Sequence, residues 1–168
     1  LKNDKPCCVL YLTDPKINDL SYKIARDKNL LRIAKSQIGR VSKIETLVQW
    51  SPVCNSNLEW RNKQQTIDFH YDSHGLNFLY IFFYFSDCNK ETGAHEMIIG
   101  SHSKKNIWKH LIGSAKNSRE SLEKYYGKDK FITLNGKPGF GFIEDTSCFH
   151  RANIPIKDSR LAVQLRYS

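Results

Sequence analysis

Residues 67–72 form the stretch of this sequence whose side chains are best placed for metal chemistry. Their order, Ile-Asp-Phe-His-Tyr-Asp, alternates apolar and polar residues. On an extended strand successive side chains point to opposite faces. The polar face is then formed by Asp68, His70 and Asp72, and the apolar face by Ile67, Phe69 and Tyr71. A histidine and a carboxylate two residues apart on one face can bind the same metal ion, so His70 and Asp72 are candidate ligands.

A third ligand has to come from another part of the chain, and His150 is the best candidate. It ends the stretch Thr-Ser-Cys-Phe-His at 146–150, and it is followed by Arg160, which opens a second alternating run. Two histidines and one carboxylate form the facial triad of non-haem Fe(II) oxygenases, which leaves positions open for a bidentate 2-oxo acid and dioxygen. The planar guanidinium of Arg160 suits the second carboxylate of a dicarboxylic oxo acid. Taken singly, each of these residues also fits a purely structural role.

Four motifs follow one another in an order that is typical of a known family. They are His70-Tyr71-Asp72, the stretch Glu-Thr-Gly-Ala-His-Glu-Met-Ile-Ile-Gly-Ser-His at 91–102, the stretch Pro-Gly-Phe-Gly-Phe-Ile at 138–143 leading to His150, and finally Arg160. From about Leu30 to its last residue the chain resembles the phytanoyl-CoA dioxygenase family of Fe(II)- and 2-oxoglutarate-dependent oxygenases.

This resemblance implies roles for individual residues. His70, Asp72 and His150 would bind iron and form the catalytic centre, and Arg160 would bind the distal carboxylate of 2-oxoglutarate. His102, which closes the Gly-Ser-His turn, is not an iron ligand in the family and is expected to be structural. Gln164 shares a strand face with Arg160, so it is a further candidate contact for the oxo acid.

The elements that would position these residues are mainly strands. A helix is predicted to start at Asp14-Pro15, and a second covers 29–38 and ends at Gly39. Alternating or apolar runs predict strands at 44–50, 79–85, 96–99, 140–144 and 160–167, with 79–85 buried on both faces. Without βαβ alternation, this pattern favours an antiparallel double-sheet jelly roll with flanking helices, the cupin-like double-stranded β-helix, which is also the fold that the resemblance implies.

The expected organisation is a single domain over residues 1–168, with a helical flank at 1–40 and a jelly-roll core at 41–168. The polar stretch 51–65 could belong to the active-site rim, with Trp60 as a candidate substrate contact, or could be a variable surface loop. The segment 103–137 carries nine Lys or Arg residues and reads as an insertion with two short helices. It would form either a lid over the barrel mouth that steers anions or a solvated excursion.

The composition of the chain indicates its cellular compartment and the class of molecule that it binds. The five cysteines are odd in number and lack C-x-x-C spacing, and the sequence contains no run of apolar residues long enough for a membrane span. A cytoplasmic protein with reduced thiols and no membrane association is therefore expected. The net charge of +9 biases the surface toward anions, but no nucleic-acid-binding motif accompanies it, so nucleic acid is an unlikely partner.

The function predicted from these features is Fe(II)- and 2-oxoglutarate-dependent hydroxylation of a small, potentially anionic, organic molecule. Related iron halogenases replace the carboxylate ligand with a small residue, and Asp72 therefore favours hydroxylation. The alternative is a jelly-roll binding module without turnover, which would have no need of a triad together with Arg160. A basic nucleic-acid-binding protein is the third and weakest alternative.

Overall fold

The computed structural model describes residues 10–53, 68–72, 77–103 and 118–168. Its elements, in chain order, are β1 (Leu10–Tyr11), α1 (Pro15–Ala25), α2 (Lys28–Ile38), β2 (Ile44–Ser51), β3 (Leu79–Tyr84), β4 (His95–Ile98), α3 (Arg119–Tyr126), a 3-10 turn (Lys128–Lys130), β5 (Phe131–Leu134), β6 (Gly141–Glu144), β7 (His150–Ala152) and β8 (Arg160–Tyr167). The predicted loop at 51–65 lies outside the described residues beyond position 53, and so does Trp60.

Both predicted N-terminal helices are present, and side-chain caps define their ends. Asp14 accepts hydrogen bonds from the backbone N–H groups of Lys16 and Ile17, with proline at the first helical position. Asp27 caps α2 in the same way, so that helix begins one residue earlier than predicted. Gly39 ends α2 with a φ of 75°, a left-handed conformation that glycine adopts without steric cost.

The strands form two antiparallel sheets, as predicted. The larger has the order β1-β2-β8-β3-β6, and the smaller has the order β5-β4-β7. Along β2 and β8 the pairing is continuous from Ile44 opposite Tyr167 to Ser51 opposite Arg160. This register sets which β8 side chains reach the space between the sheets and which face away from it.

The outer face of the larger sheet is covered by α1 and α2. Val163, Leu165 and Tyr167 of β8 are buried there with Val48, Ile81 and the helix residues Ala25, Ala34 and Ile38. The Tyr167 hydroxyl donates to the carbonyl of Ala25 at 2.8 Å. Burying each large side chain contributes roughly 1.5–3 kcal/mol, so this core holds β8 rigidly and leaves its alternate face for the cavity.

Helix α3 covers the outer face of the smaller sheet. Leu122 is buried against Phe69, Ile98 and Phe149, with Tyr126 and Phe131 packed around the cluster. The basic segment 103–137 therefore contributes a helix to the core and β5 to the smaller sheet. Its described part does not form the predicted lid over the cavity, because the apolar face of α3 is buried on the opposite side of that sheet. Residues 104–117 lie outside the described part of the chain.

Several strand ends differ from the sequence prediction by one residue, including the end of β2 at Ser51 and the start of β6 at Gly141. β3 ends at Tyr84, and Phe85 is 46% exposed. β4 begins at His95 and ends at Ile98, with Ile99 exposed. Among the described helices, none combines the length and apolar character that a membrane crossing requires.

Candidate active site

Backbone pairing brings the two predicted histidines side by side. His70 and His150 form an antiparallel bridge with N–H to C=O hydrogen bonds of 3.0 and 2.8 Å, and the N–H of Asp72 donates to the carbonyl of Thr146 at 2.9 Å. The segment is also held from behind, because Phe69 and Tyr71 are buried on its apolar face. The alternation predicted for 68–72 is therefore the alternation observed.

The ligand atoms of His70, Asp72 and His150 converge on one point. One nitrogen or oxygen atom from each residue lies within 4.8 Å of the other two. The His150 Nε2 atom is 4.0 Å from Asp72 Oδ2, and the centres of the two imidazole rings are 4.4 Å apart. The three side chains are therefore close enough together to be candidate ligands of one metal ion.

The histidine tautomers are set by the backbone. Nδ1 of His70 lies 3.0 Å from the carbonyl of Asp68, and Nδ1 of His150 lies 3.0 Å from the carbonyl of Cys148. A carbonyl can only accept, so each Nδ1 carries the hydrogen and each Nε2 keeps its lone pair. A fixed tautomer of this kind is typical of metal-binding histidines.

Burial keeps both imidazoles neutral. It lowers the pKa of His70, and it lowers the pKa of His150 to about 4, with a smaller opposing effect from the Glu144 carboxylate. Neutral imidazole is the form that binds metal. The two imidazoles are thus suited to binding a cation, with Asp72 as the candidate carboxylate ligand.

A cavity of about 560 Å³ extends between the two sheets from this centre to Arg160. The four inward residues of β8 line it, as the alternation predicted: Arg160, Ala162, Gln164 and Arg166. The side-chain oxygen of Gln164 accepts a hydrogen bond of 2.7 Å from Gln49. Gln164 therefore faces the cavity, with its oxygen already paired.

Arg160 is a buried cation, only 5% exposed. Its guanidinium donates to the Gly93 carbonyl at 2.8 Å and to the Ser51 hydroxyl at 3.2 Å, while its Nε has no hydrogen-bond partner among the described residues. Burial lowers the pKa of Arg160, and within the described ranges it forms no ion pair with a carboxylate. A buried charge without a counter-ion is costly, so this end of the cavity is suited to an anion.

Comparison with solved structures identifies the fold of this chain, whereas the comparisons of its sequence found no match. No protein-family model matches the chain, and no curated protein matches it. Solved structures do: EctD from S. alaskensis with bound Fe matches with a TM-score of 0.63 at 16% identity, over 96% of this chain and 56% of EctD. The chain thus spans little more than half the length of that protein.

Two further matches contain small molecules. EctD from S. alaskensis with 2-oxoglutarate and 5-hydroxyectoine has a TM-score of 0.64 at 16% identity, covering 100% of this chain and 61% of EctD. HygX from Streptomyces hygroscopicus with nickel, 2-oxoglutarate and hygromycin B has a TM-score of 0.63 at 17% identity, covering 99% and 72%. The chain has the jelly-roll fold. At these identities the likeness establishes the fold alone.

The jelly roll also brings together a pair that sequence reasoning did not single out. Nε2 of His95 on β4 lies 2.7 Å from Oε2 of Glu144 on β6, and both side chains are buried. Burial raises the pKa of Glu144, but the combined effect of His95 and His150 outweighs it, so the pKa lies below its usual value. The available signal was the alternation of Phe142 and Glu144, which places a carboxylate on the inward face of a strand.

Proposed function

We propose that this chain is the catalytic domain of an Fe(II)- and 2-oxoglutarate-dependent oxygenase of the phytanoyl-CoA dioxygenase type. The observation that carries this proposal is one cavity with a convergent His70, Asp72 and His150 set at one place and, at another, the buried Arg160, which has no carboxylate partner among the described residues. An ion at the triad and a dicarboxylate held by Arg160 complement these features. The overall reaction converts substrate, 2-oxoglutarate and O2 to hydroxylated substrate, succinate and CO2.

The three side chains fit a ferrous ion. They supply two neutral imidazole Nε2 atoms and one carboxylate, the donor set of non-haem Fe(II) oxygenases. Bound Fe(II) and the 2-oxo acid together would supply the oxidant for C–H hydroxylation. The protein's part is to hold the ligands in place through the His70–His150 backbone bridge and the fixed Nδ1 hydrogens.

Arg160 would bind the distal carboxylate of 2-oxoglutarate. Its guanidinium is already oriented by Gly93 and Ser51, so it loses little side-chain freedom on binding. A desolvated carboxylate would supply the charge that the described residues around Arg160 do not. Gln164 lies one inward position beyond Ala162 and is a further proposed contact on this wall.

The proposed substrate is a small organic molecule, with anionic molecules favoured by the net charge of +9. EctD and HygX were solved with small molecules, 5-hydroxyectoine and hygromycin B, and a cavity of about 560 Å³ is of the size that binds such compounds. The presence of Asp72 in the triad favours hydroxylation over halogenation. A reducing cytoplasm would keep the iron ferrous.

Succinate formation tests the proposal. Purified protein is incubated with Fe(II), 2-oxoglutarate and a panel of metabolites, and succinate is quantified with the Asp72→Ala and His150→Ala variants in parallel. We expect turnover in the wild type that both variants abolish. Tight binding of 2-oxoglutarate without succinate under any condition would instead identify a binding module.

A further inference from the structure

Neutral oxygen atoms orient the guanidinium of Arg160 in the part of the chain that the structure describes. It donates to the Gly93 carbonyl at 2.8 Å, and its Nη2 donates to the Ser51 hydroxyl at 3.2 Å and to Oε1 of Gln49 at 3.5 Å. A carbonyl, a hydroxyl and an amide hold a guanidinium in place without neutralising it, whereas a carboxylate would do both. The positive charge of Arg160 is therefore left for an anion.

The register of β2 and β8 explains how Gln49 reaches Arg160. Ser51 lies directly opposite Arg160, and Gln49 lies opposite Ala162. A long side chain can also reach the diagonal neighbours on the adjacent strand, which for Gln49 are Arg160 and Gln164. The alanine between them ends at a single methyl group, so the amide of Gln49 extends along the cavity wall and contacts both neighbours.

The chemistry of these neighbours fixes the orientation of the Gln49 amide. A guanidinium can only donate, so the amide atom that faces Arg160 is the oxygen. The NH2 group then faces Gln164, and Nε2 of Gln49 donates to Oε1 of Gln164 at 2.7 Å. Burial raises the pKa of Tyr80, and a hydrogen bond with Gln164 opposes this effect. The obligate donor Arg160 thus sets the direction of two amides in succession, and the NH2 group of Gln164 points away from Gln49.

We propose that Gln49 is a positioning residue of the 2-oxo acid site, which orients Arg160 through Oε1 and the amide of Gln164 through Nε2. This inference rests on the proposed function. Gln49 acts through Arg160 rather than by contact with the acid, and its neutral amide leaves the guanidinium charged for the distal carboxylate. A glutamate at this position has nearly the same shape but would supply a counter-ion that competes with the ligand.

Two acids that differ only at the distal end test this inference without turnover. 2-Oxopentanoate has the carbon chain of 2-oxoglutarate but ends in a methyl group, so only 2-oxoglutarate can pair with Arg160. Mn(II) replaces Fe(II), and calorimetry gives the affinity for Mn(II) and then for each acid in the loaded protein. A residue that acts through Arg160 changes the affinity for 2-oxoglutarate alone, whereas a residue that only supports the fold changes the affinity for both acids.

We expect Gln49→Leu to weaken 2-oxoglutarate binding about threefold to tenfold, the effect of one hydrogen bond. Gln49→Glu should weaken it about 30-fold or more, because the guanidinium then has a partner within the protein. The affinities for 2-oxopentanoate and Mn(II) should stay within about threefold in both variants. Gln37→Glu is the matched control, because it makes the same change of charge at an exposed position of α2. It should bind all three ligands as the wild type does.

Wild-type affinity for 2-oxoglutarate in Gln49→Glu would overturn the inference, and so would equal losses for the two acids. Should Gln49→Glu fail to bind Mn(II), the ratio of the two acid affinities in Gln49→Leu decides in the same way. Wild-type affinities in both Gln49 variants, with a loss in Arg160→Ala, would overturn the inference while leaving the proposed function intact. A wild type that binds Mn(II) but no 2-oxoglutarate would overturn both.

Discussion

His70 and His150 present Nε2 to the candidate metal centre because each donates from Nδ1 to a backbone carbonyl. Burial lowers the pKa of both side chains and so favours their neutral form. The same burial makes these residues sensitive to acid when no metal is bound. Burial of these two side chains therefore favours cation binding and also makes the metal-free protein less stable at low pH.

We expect the metal-free protein to lose stability between pH 7 and pH 5. The unfolded chain protonates His150 near the ordinary pKa of 6.5, whereas the folded chain does so only near a pKa of about 4, so the unfolded state binds more protons in this window and stability falls as pH falls. The contribution of His150 is roughly 2 kcal/mol, since one pKa unit corresponds to about 1.4 kcal/mol. Urea unfolding at both pH values measures it.

His150→Gln should flatten this dependence, and His102→Gln should leave it unchanged. A pH dependence that is the same in all three proteins would show that His150 does not cause it. Saturating Mn(II) at pH 7 should raise the midpoint of unfolding, because the ion binds only the folded site.

Arg160→Ala should weaken 2-oxoglutarate binding much more than metal binding. Removing the partner of a desolvated carboxylate costs about 2–5 kcal/mol, which is about 30-fold or more in affinity, while the triad is left intact. Calorimetry with Mn(II)-loaded protein gives both affinities. Arg160→Lys keeps the positive charge but loses the planar guanidinium, which can donate two parallel hydrogen bonds to a carboxylate. Its affinity for 2-oxoglutarate should therefore lie between those of the wild type and the alanine variant. An equal loss for metal and oxo acid would indicate misfolding.

Two elements determine where the site residues point. β8 is held from outside by α1 and α2, which leaves its even-numbered residues from 160 to 166 facing the cavity. The segment 68–72 has no long strand of its own and depends on the bridge to β7 and on the cluster beneath it. Helix α3 completes that cluster, so it supports the candidate metal centre from the outer face of the smaller sheet.

Leu122→Ala in α3 should destabilise the protein by about 2–5 kcal/mol, the usual cost of a cavity left by a fully buried leucine. Leu122 is 1% exposed, whereas Tyr125 on the same helix is 59% exposed. Tyr125→Ala is therefore the matched control and should change the free energy of unfolding by less than about 0.5 kcal/mol. Similar losses for both variants would contradict the packing described for α3.

At the scale of the whole molecule, the net charge of +9 acts at longer range than any single contact. Its field favours the approach of anions and weakens as salt shortens the screening length to about 10 Å at 0.1 M. The lysines of the basic segment that the structure describes, Lys124, Lys128, Lys130 and Lys137, are exposed and do not line the cavity. They contribute to the overall field without closing over the site.

The association rate of 2-oxoglutarate should therefore fall as ionic strength rises, which stopped-flow binding to Mn(II)-loaded protein can measure. Charge reversal at Lys124 and Lys128 should change that rate by less than about threefold at physiological salt, because both lie outside the cavity lining. A loss of tenfold or more from these two substitutions would restore a steering role for this part of the segment.

Local patterns in the sequence were sufficient to predict helix ends and the two faces of strands. Asp14-Pro15 and Gly39 mark helix ends because capping is a matter of a few neighbouring residues. The alternation from Arg160 to Tyr167 separated cavity residues from core residues correctly, because a strand has a fixed period of two. For the same reason His70 and Asp72 were expected on one face.

Contacts between residues that are distant in sequence could be identified only from the tertiary structure. The His95–Glu144 pair joins β4 to β6, and Arg160 of β8 donates a hydrogen bond to the carbonyl of Gly93. Helix α3 lies on the outer face of the smaller sheet because Leu122 packs against apolar side chains there. The periodicity of a strand or helix determines which of its residues lie on the same face. Which two faces meet depends on sheet order and on the burial of the whole core, and no local pattern of residues encodes that.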